Sequence, residues 1–219
     1  MKKTALFIGL LAFSLSSQAQ LGFTPEIGVN FTSVNSTVKS GGSSTSLKGK
    51  MNPGFRAGAS LTLSISESFA IQPGLYYDFT STKYNLASVG NSSLKSTMSL
   101  HSLQIPVYAM YYMDARNKTG FFAGVGPYAN FYLSGKQKGD LSIGGTSTNS
   151  SRDLSFGNKS SDDLKSMGFG GSLTAGYTLP AGLSLRAYFN LGLSNLKPKG
   201  DSDNKINSKS VGLTLGYRF

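Results

Sequence analysis

Bulky apolar residues alternate with small or polar residues along most of the chain, at the period of two that marks a β-strand with one apolar face. The alternation predicts eight strands, over residues 22–32, 54–65, 69–80, 99–113, 120–133, 166–179, 182–195 and 210–219. In each of them the bulky residues fall mainly on odd numbers, whereas the even positions hold mostly Gly, Ser, Thr, Asn and Tyr. Because the alternation has the same phase in all the strands, we expect a single sheet with an apolar face and a polar face.

The connections between these strands alternate in length. Short connections are predicted at residues 66–68, 114–119 and 180–181. Long connections, rich in Gly, Ser, Asn and Lys, are predicted at residues 33–53, 81–98, 134–165 and 196–209. Short turns at one end and long loops at the other are typical of outer-membrane barrels. We therefore expect an all-β fold, an eight-stranded antiparallel up-and-down transmembrane β-barrel whose last strand pairs with the first.

A soluble eight-stranded barrel around a small apolar ligand is the alternative, because alternation alone does not show which face lies inside. A face turned to bulk water would carry many Lys and Glu residues, and the even face carries few charges. The aromatic residues of the odd face also gather near strand ends, as in the girdles of membrane barrels. They are Phe23, Phe31, Phe55, Phe79, Phe121, Phe131 and Phe219. Both features favour the membrane barrel.

The first residues have the layout of a secretory signal peptide. Lys2 and Lys3 precede a short apolar run, and small residues follow at Ser17 and Ala19. The apolar run is shorter than the roughly 20 residues of a spanning helix. We expect a signal peptide at 1–19, a barrel domain at 20–219, and export to the outer membrane of a Gram-negative bacterium. The chain has no cysteine, which excludes a disulfide scaffold and a lipid-modified cysteine.

The chain is strongly basic, with a formal net charge of +11. Such a balance can indicate nucleic-acid binding. Export argues against that partner, and the sequence has no recognition helix, zinc-ligand spacing or aromatic RNA-binding motif. The predicted long loops hold more Lys and Arg than Asp, and we expect them to meet outer-membrane lipid and the phosphates of lipopolysaccharide. The same lysines would also serve simply to keep exposed loops soluble.

Five charged residues fall on the even face and therefore in the predicted lumen. They are Glu26, Arg56, Asp78, Arg186 and Arg218. A first turn centred on Glu67 places Arg56 directly opposite Asp78, where the two would form a charge-assisted bridge. An eight-stranded barrel is just wide enough to be filled by side chains. We therefore expect a structural plug, and a narrow channel gated by Arg56 and Asp78 is an alternative.

Catalytic motifs are scarce in this sequence. It contains no HExxH, no GxSxG, no Cys nucleophile and a single histidine, His101. Ser99 and His101 share a face near the extracellular end of the fourth strand. Lipid A deacylase barrels carry the order His-x-Ser, which is reversed here, and no acidic residue is placed to orient the imidazole. We expect no catalytic residue, cofactor or metal site, and a barrel enzyme acting on lipid A through His101 is a further alternative.

The order of several segments resembles the PorT-like outer-membrane β-barrel family, whose members are often labelled porin family. The segments are EIGVNFTSV, PGFRAGASLTLSISESFAIQPGLYYDF, HSLQIPVYAMYY, GVGPYANFYLSGK, MGFGGSLTAGYTLPAGLSLRAYFNLGLSNL and VGLTLGYRF. The resemblance implies insertion by the barrel-assembly machinery, which reads a last strand ending in an aromatic residue. Here that signal would be Leu215, Tyr217 and Phe219. We expect a monomeric, non-enzymatic barrel with a structural role in the envelope or a role in surface interaction.

Overall fold

The computed structural model describes residues 21–40, 43–89, 92–114, 118–143, 146–200 and 203–219. The predicted signal peptide lies outside the described residues. The described residues form ten strands: β1 (Leu21–Ser40), β2 (Ser43–Lys48), β3 (Lys50–Ser64), β4 (Phe69–Val89), β5 (Ser92–Tyr112), β6 (Gly120–Ile143), β7 (Thr146–Asp153), β8 (Met167–Thr178), β9 (Leu183–Gly192) and β10 (Asn204–Tyr217). In the part of the chain described, no helix has the length and apolar character needed to cross a membrane.

Eight of these strands close into an antiparallel ring. The order is β1, β3, β4, β5, β6, β8, β9 and β10, and β10 pairs back onto β1. At this seam Val29 lies opposite Leu213, and Phe31 lies opposite Val211. Every strand of the ring has two neighbours, so none of these strands is an open edge of the sheet. The predicted closure of the last strand on the first is confirmed.

At one end the strands extend well beyond their predicted bounds. β4 and β5 continue as one hairpin to the pair Val89 and Ser92, while β2 folds back on β1 and β7 folds back on β6. The prediction of long loops over 33–53, 81–98 and 134–165 is therefore wrong for most of each segment. Apolar alternation reports contact with lipid. It ends where side chains leave the membrane, although backbone pairing continues there.

The opposite end of the barrel has tight turns, as predicted. Between β3 and β4 the backbone amide of Ile65 donates to the carbonyl of Phe69 at 3.0 Å. Between β8 and β9 the amide of Gly182 donates to the carbonyl of Leu179 at 2.9 Å. Gly182 has φ +91°, a conformation that glycine adopts without steric cost. These short connections identify the periplasmic end of the barrel.

The two faces of the ring are inverted relative to a soluble protein. Outward Ile27 is 65% exposed, whereas inward Glu26 is 5% exposed. On β4 the outward residues from Phe69 to Phe79 cover about 33 Å of strand at roughly 3.3 Å per residue. At a tilt of about 40° this is roughly 25 Å, the height of the apolar band in outer-membrane barrels. The odd face is therefore the lipid-facing surface.

Aromatic pairs mark both edges of this apolar band. At the periplasmic edge the rings of Phe69 and Tyr111 have centroids 5.2 Å apart. At the other edge the rings of Phe55 and Phe79 have centroids 5.8 Å apart. Aromatic side chains favour the boundary between hydrocarbon and headgroups. Aromatic girdles are thus present at both ends of β4, with Tyr111 of β5 at one end and Phe55 of β3 at the other.

Among the described residues, β3 and β6 each carry a β-bulge that reverses their own alternation above the outer girdle. The pairing of β3 with β4 shifts between Asn52 and Phe55, and the pairing of β5 with β6 shifts between His101 and Ser102. An extra residue in one strand exchanges its inward and outward positions. On β3 and β6 the assignment of even positions to the lumen therefore holds only below the bulges, whereas on β4 the even-numbered Thr82 and Tyr84 remain buried above the girdle. Beyond the bulges the even-numbered Lys50 and Lys136 are exposed on the outer surface.

Candidate functional site

The structure places Arg56 of β3 directly opposite Asp78 of β4, the register expected from a turn centred on Glu67. The guanidinium contacts the carboxylate at two points, with Nε 2.8 Å from Oδ1 and Nη2 2.7 Å from Oδ2. Both residues are buried. Paired N–H donors on one carboxylate give a strong and geometrically fixed interaction. Removing either partner would leave an uncompensated charge inside the barrel.

Side chains from other strands hold the Arg56 guanidinium in place. It lies over the rings of Tyr76 and Tyr188, at 4.8 and 4.0 Å from their centroids. Its Nη2 also donates to Oε1 of Gln104. On the carboxylate side, Asn30 Nδ2 donates to Asp78 Oδ1 at 3.3 Å. The ion pair is thus fixed at the centre of the lumen from several directions.

A second ion pair lies beside the first. Arg186 Nε is 3.2 Å from Glu26 Oε2, and both side chains are buried. Glu26 accepts hydrogen bonds from the Tyr76 hydroxyl at 2.8 Å and from Thr214 Oγ1 at 2.7 Å. Arg186 Nη2 donates to Gln72 Oε1 at 2.7 Å. Because Tyr76 contacts both Glu26 and Arg56, the two pairs form one connected polar network.

Hydrogen bonds carry this network across the lumen. Gln104 Oε1 accepts from Asn190 Nδ2 at 3.2 Å, and Asn190 Oδ1 accepts from Ser172 Oγ. The hydroxyls of Ser172 and Tyr108 are 2.9 Å apart. The connected groups lie on β5, β8 and β9, which face Arg56 across the ring. Side chains therefore fill this level of the barrel.

A small polar cavity lies above the Arg56–Asp78 bridge. Its volume is about 30 Å³, and its lining includes Asp78, Ser102, Asn130 and Thr32. A polar cavity of this size has room for a water molecule. Asn130 Oδ1 is buried and has no hydrogen-bond partner among the described residues. The cavity is therefore suited to hydration rather than to binding a larger solute.

An apolar cap closes the extracellular mouth above the cavity. It is built from Leu100, Leu154, Leu164 and Leu196, with Met98, Tyr132, Phe156 and Ile206 packed against them. The segment between β7 and β8 folds over the mouth, and its Leu154 amide donates to the carbonyl of Gly135 at 2.9 Å. The ring of Phe156 stacks on Tyr132 with centroids 6.0 Å apart. The cap was not predicted from the sequence, although isolated apolar residues within the predicted loops were a signal for it.

Asp163 fastens the cap segment to the hairpin beside it. Its carboxylate accepts from the Ser155 amide at 3.0 Å and from Arg152 Nη1 at 2.9 Å. Partial burial alone would raise the pKa of Asp163. The hydrogen bonds from Ser155 and the charge of Arg152 outweigh that effect and lower the pKa below its usual range.

Tyr112 joins Arg218 to the central network, because its hydroxyl accepts from Gln72 Nε2 at 3.4 Å and its ring centroid lies 5.7 Å from the guanidinium of Arg218. Arg218 Nη1 donates to the carbonyl of Lys118 at 2.8 Å, at the periplasmic end. Lys118 in turn donates through Nζ to the carbonyls of Ser66 and Glu67. Burial, together with the nearby Arg218 charge, lowers the pKa of Lys118. The predicted lumen charges thus comprise a central set, Glu26, Arg56, Asp78 and Arg186, and a periplasmic Arg218 that is linked to this set through Tyr112 and Gln72.

His101 points outward at the extracellular girdle. Its Nδ1 is hydrogen-bonded to the Tyr77 hydroxyl at 2.5 Å, and its ring lies 5.0 Å from that of Phe79. Ser99 is opposite Ser81 and Lys136 in the register, and within the described residues it makes no hydrogen bond to His101. Across the same ranges no group of three His, Cys, Asp or Glu side chains is arranged to hold a metal ion.

The residues predicted to signal barrel assembly lie on the outer face near the periplasmic end. Leu215, Tyr217 and Phe219 are all exposed. The Phe219 ring stacks on Phe23 with centroids 6.4 Å apart, and its amide donates to the Phe23 carbonyl at 2.9 Å. These contacts place the chain end in the periplasmic girdle, beside the seam between β1 and β10.

Comparison with known proteins identifies the family of this chain. Residues 16–197 match the family described as outer membrane protein beta-barrel domain, and no curated protein matches the sequence. Among solved structures, Ail, the attachment invasion locus protein of Yersinia pestis, is 14% identical with a TM-score of 0.36, over 89% of this chain and 99% of that chain. OprG from Pseudomonas aeruginosa is 14% identical with a TM-score of 0.35, over 90% and 95%. The outer membrane protease OmpT from Escherichia coli is 10% identical with a TM-score of 0.40, over 93% and 97%. The family match shows that the chain belongs to the outer-membrane protein β-barrel domain family.

Proposed function

We propose that this protein is a non-enzymatic, monomeric barrel with a closed lumen, which serves the envelope as a structural element and through its outer surface. We further propose that it is a PorT-like member of its family, exported by the signal peptide at 1–19 and inserted by the barrel-assembly machinery. The observation that carries the proposal is the buried network of Glu26, Tyr76 and Arg56 with their partners, which crosses the lumen beneath an apolar cap.

The energetics of the network support a plug rather than a gate. Ion passage would require Arg56 to separate from Asp78 in a medium of low dielectric constant. Breaking a buried ion pair by removing one partner costs about 3–5 kcal/mol. Passage would also require the apolar cap around Leu164 to open. Two independent barriers in series favour a structural barrel over a narrow channel gated by Arg56 and Asp78.

The surroundings of His101 support a non-enzymatic role. A catalytic histidine needs a nucleophile within hydrogen-bond reach and a group that orients its ring. Here Nδ1 is engaged by Tyr77, and the register sets Ser99 beside Ser81 and Lys136. His101 and Phe79 instead form part of the aromatic girdle. Their arrangement fits anchoring at the membrane boundary better than chemistry on lipid A.

A deletion strain separates the structural role from that of a pore. Loss of a structural barrel should increase uptake of a large hydrophobic dye and leave uptake of small hydrophilic solutes unchanged. Loss of a pore should slow the uptake of small solutes. Plasmid-borne wild type should restore the dye barrier, and His101→Ala should restore it equally. Slower small-solute uptake in the deletion strain would overturn the proposal.

A further inference from the structure

The outer surface of β3, β4, β5 and β6 is arranged in rows of directly opposed residues, which point to the same side of the sheet. The lowest of three rows is part of the extracellular girdle. It contains Phe55, Phe79, His101 and Ser134. The two rows above it contain lysines and no aromatic residue.

The second row contains Asn52, Ser81, Ser99 and Lys136. The third row contains Lys50, Lys83, Thr97 and Lys138. The four lysines of these rows are exposed. Together they form the basic face, which consists of Lys50, Lys83, Lys136 and Lys138. They lie on one side of the barrel, directly above a ledge formed by the rings of Phe55 and Phe79 in the first row.

Both bulges are needed to build the basic face. Lys50, Lys136 and Lys138 have even numbers, and below the bulges even residues point into the lumen. The bulge in β3 turns Lys50 outward beside Lys83, and the separate bulge in β6 turns Lys136 and Lys138 outward. Bulges commonly re-aim side chains in this way. Two independent backbone irregularities thus direct positive charge to the same surface.

The charge of the basic face is poorly neutralised by the protein itself. Lys50 and Lys83 are directly opposite on neighbouring strands, an arrangement that is unfavourable for like charges. Among the described residues neither of them forms an ion pair, and neither does Lys138. Lys136 Nζ is 3.8 Å from Asp153, but both side chains are largely exposed, so this contact contributes little. An external anion would relieve the repulsion.

The height of the basic face indicates which anion is available. Lys83 lies four residues beyond Phe79, about 13 Å along the strand and roughly 10 Å above the girdle after tilt. The headgroup layer extends about 5–8 Å beyond the hydrocarbon core, so the backbone of Lys83 lies just above that layer. Lysine side chains can extend back toward that layer while their stems cover apolar surface. Phosphates of outer-leaflet lipid therefore lie within reach.

We propose that the basic face binds the phosphorylated headgroup of lipopolysaccharide. One phosphate lies between Lys50 and Lys83, and another lies near Lys136 and Lys138. Lys83 and Lys138 are two strands apart, about 10 Å, which suits a ligand with more than one anionic group. The acyl chains of the lipid pack on the ledge of Phe55 and Phe79. This inference rests on the proposed role of the protein at the envelope surface and names its lipid partner.

Binding of purified lipid A to the detergent-solubilised full-length protein tests this site. The test variant is the double substitution Lys50→Gln and Lys83→Gln. The matched control is Lys205→Gln and Lys209→Gln on β10, where both lysines are exposed on another side of the ring. Folding of each protein is checked by its change in gel mobility on boiling. Every protein is titrated with lipid A and with enzymatically dephosphorylated lipid A.

The test variant should bind lipid A about thirtyfold more weakly than wild type, which corresponds to about 1 kcal/mol for each lysine near an anionic surface. The control variant should bind lipid A as tightly as wild type does. All three proteins should bind dephosphorylated lipid A with the same affinity. Equal weakening in both variants would show diffuse attraction and overturn the site, as would unchanged binding in the test variant. Permeability of the deletion strain is measured separately, so failure of the proposed function is distinguishable from failure of this site.

Discussion

The hydroxyl of Tyr76 donates a 2.8 Å hydrogen bond to Glu26, and the ring of the same Tyr76 lies 4.8 Å from the guanidinium of Arg56. One side chain therefore connects the two ion pairs that fill the lumen. In a low-dielectric interior, polar groups held in this way are stabilising only when each remains satisfied. Tyr76 therefore makes the lumen network a single unit. Substitutions of its different members should lower the free energy of unfolding by different amounts.

Replacing Tyr76 by Phe keeps the ring and removes only the hydroxyl. We expect the free energy of unfolding to fall by about 2 kcal/mol, the usual range for a buried hydrogen bond to a charged group. Tyr188→Phe is the matched control, because that ring also contacts Arg56 while its hydroxyl has no partner among the described residues. Urea unfolding in lipid vesicles measures the free energy of unfolding of both variants. Equal losses would contradict the role of the Tyr76 hydroxyl.

Replacing Asp78 by Ala should be more harmful, because it leaves Arg56 buried without its carboxylate. We expect a loss of about 3–5 kcal/mol in the free energy of unfolding. Adding Arg56→Met to this variant should recover part of that loss, since no charge then remains unpaired at the site. The same unfolding assay on single and double variants gives the coupling energy. Additive losses would show that the two residues do not act as a pair.

Replacing Leu164 by Ala should loosen the apolar cap while the barrel remains closed as a sheet. Truncating a buried leucine typically costs about 2–5 kcal/mol. Limited proteolysis should then cut within residues 154–166 faster than in wild type. Leu141→Ala, at an exposed position on β6, is the control and should leave the cleavage rate unchanged. Retained resistance in Leu164→Ala would contradict the packing of the cap.

Asp163 should make the cap sensitive to acid. Its pKa is lowered in the folded protein from the ordinary value of 3.8, so its stabilising contribution is present above that value and disappears as pH falls through the folded pKa. The NMR signal of the Ser155 amide should shift as Asp163 is protonated below pH 3.8. Asp163→Asn should abolish that transition. A transition that persists in the variant would assign it to another group.

The lipid-facing part of the fold was predictable from the sequence because lipid imposes a strict period of two on every strand. The short turn centred on Glu67 predicted the register that brings Arg56 opposite Asp78. Above the girdle lipid no longer imposes this period, and the sequence from Tyr84 to Val89 keeps no regular alternation of apolar and polar residues. Its continuation as a strand depends on backbone pairing with β5.

Neither the cap nor the basic face was predictable from the sequence, and the reason differs between the two. Leu154 and Leu164 lie in the connection between β7 and β8, Leu196 lies in the one between β9 and β10, and no local period links them. The outward direction of Lys50 and Lys136 depends on bulges of a single residue, which alternation of neighbouring residues does not reveal. The central charge network was foreseen in its members, but the bridging role of Tyr76 depends on its position within the closed ring.

Planar-bilayer conductance of the folded protein tests the closed lumen most directly. A change in gel mobility on boiling first establishes that the sample is folded. We predict no steady open level for the wild type, because the Arg56–Asp78 bridge and its partners fill the lumen beneath the apolar cap. A steady wild-type conductance that changes in Arg56→Ala would contradict this account and establish a channel controlled by that pair.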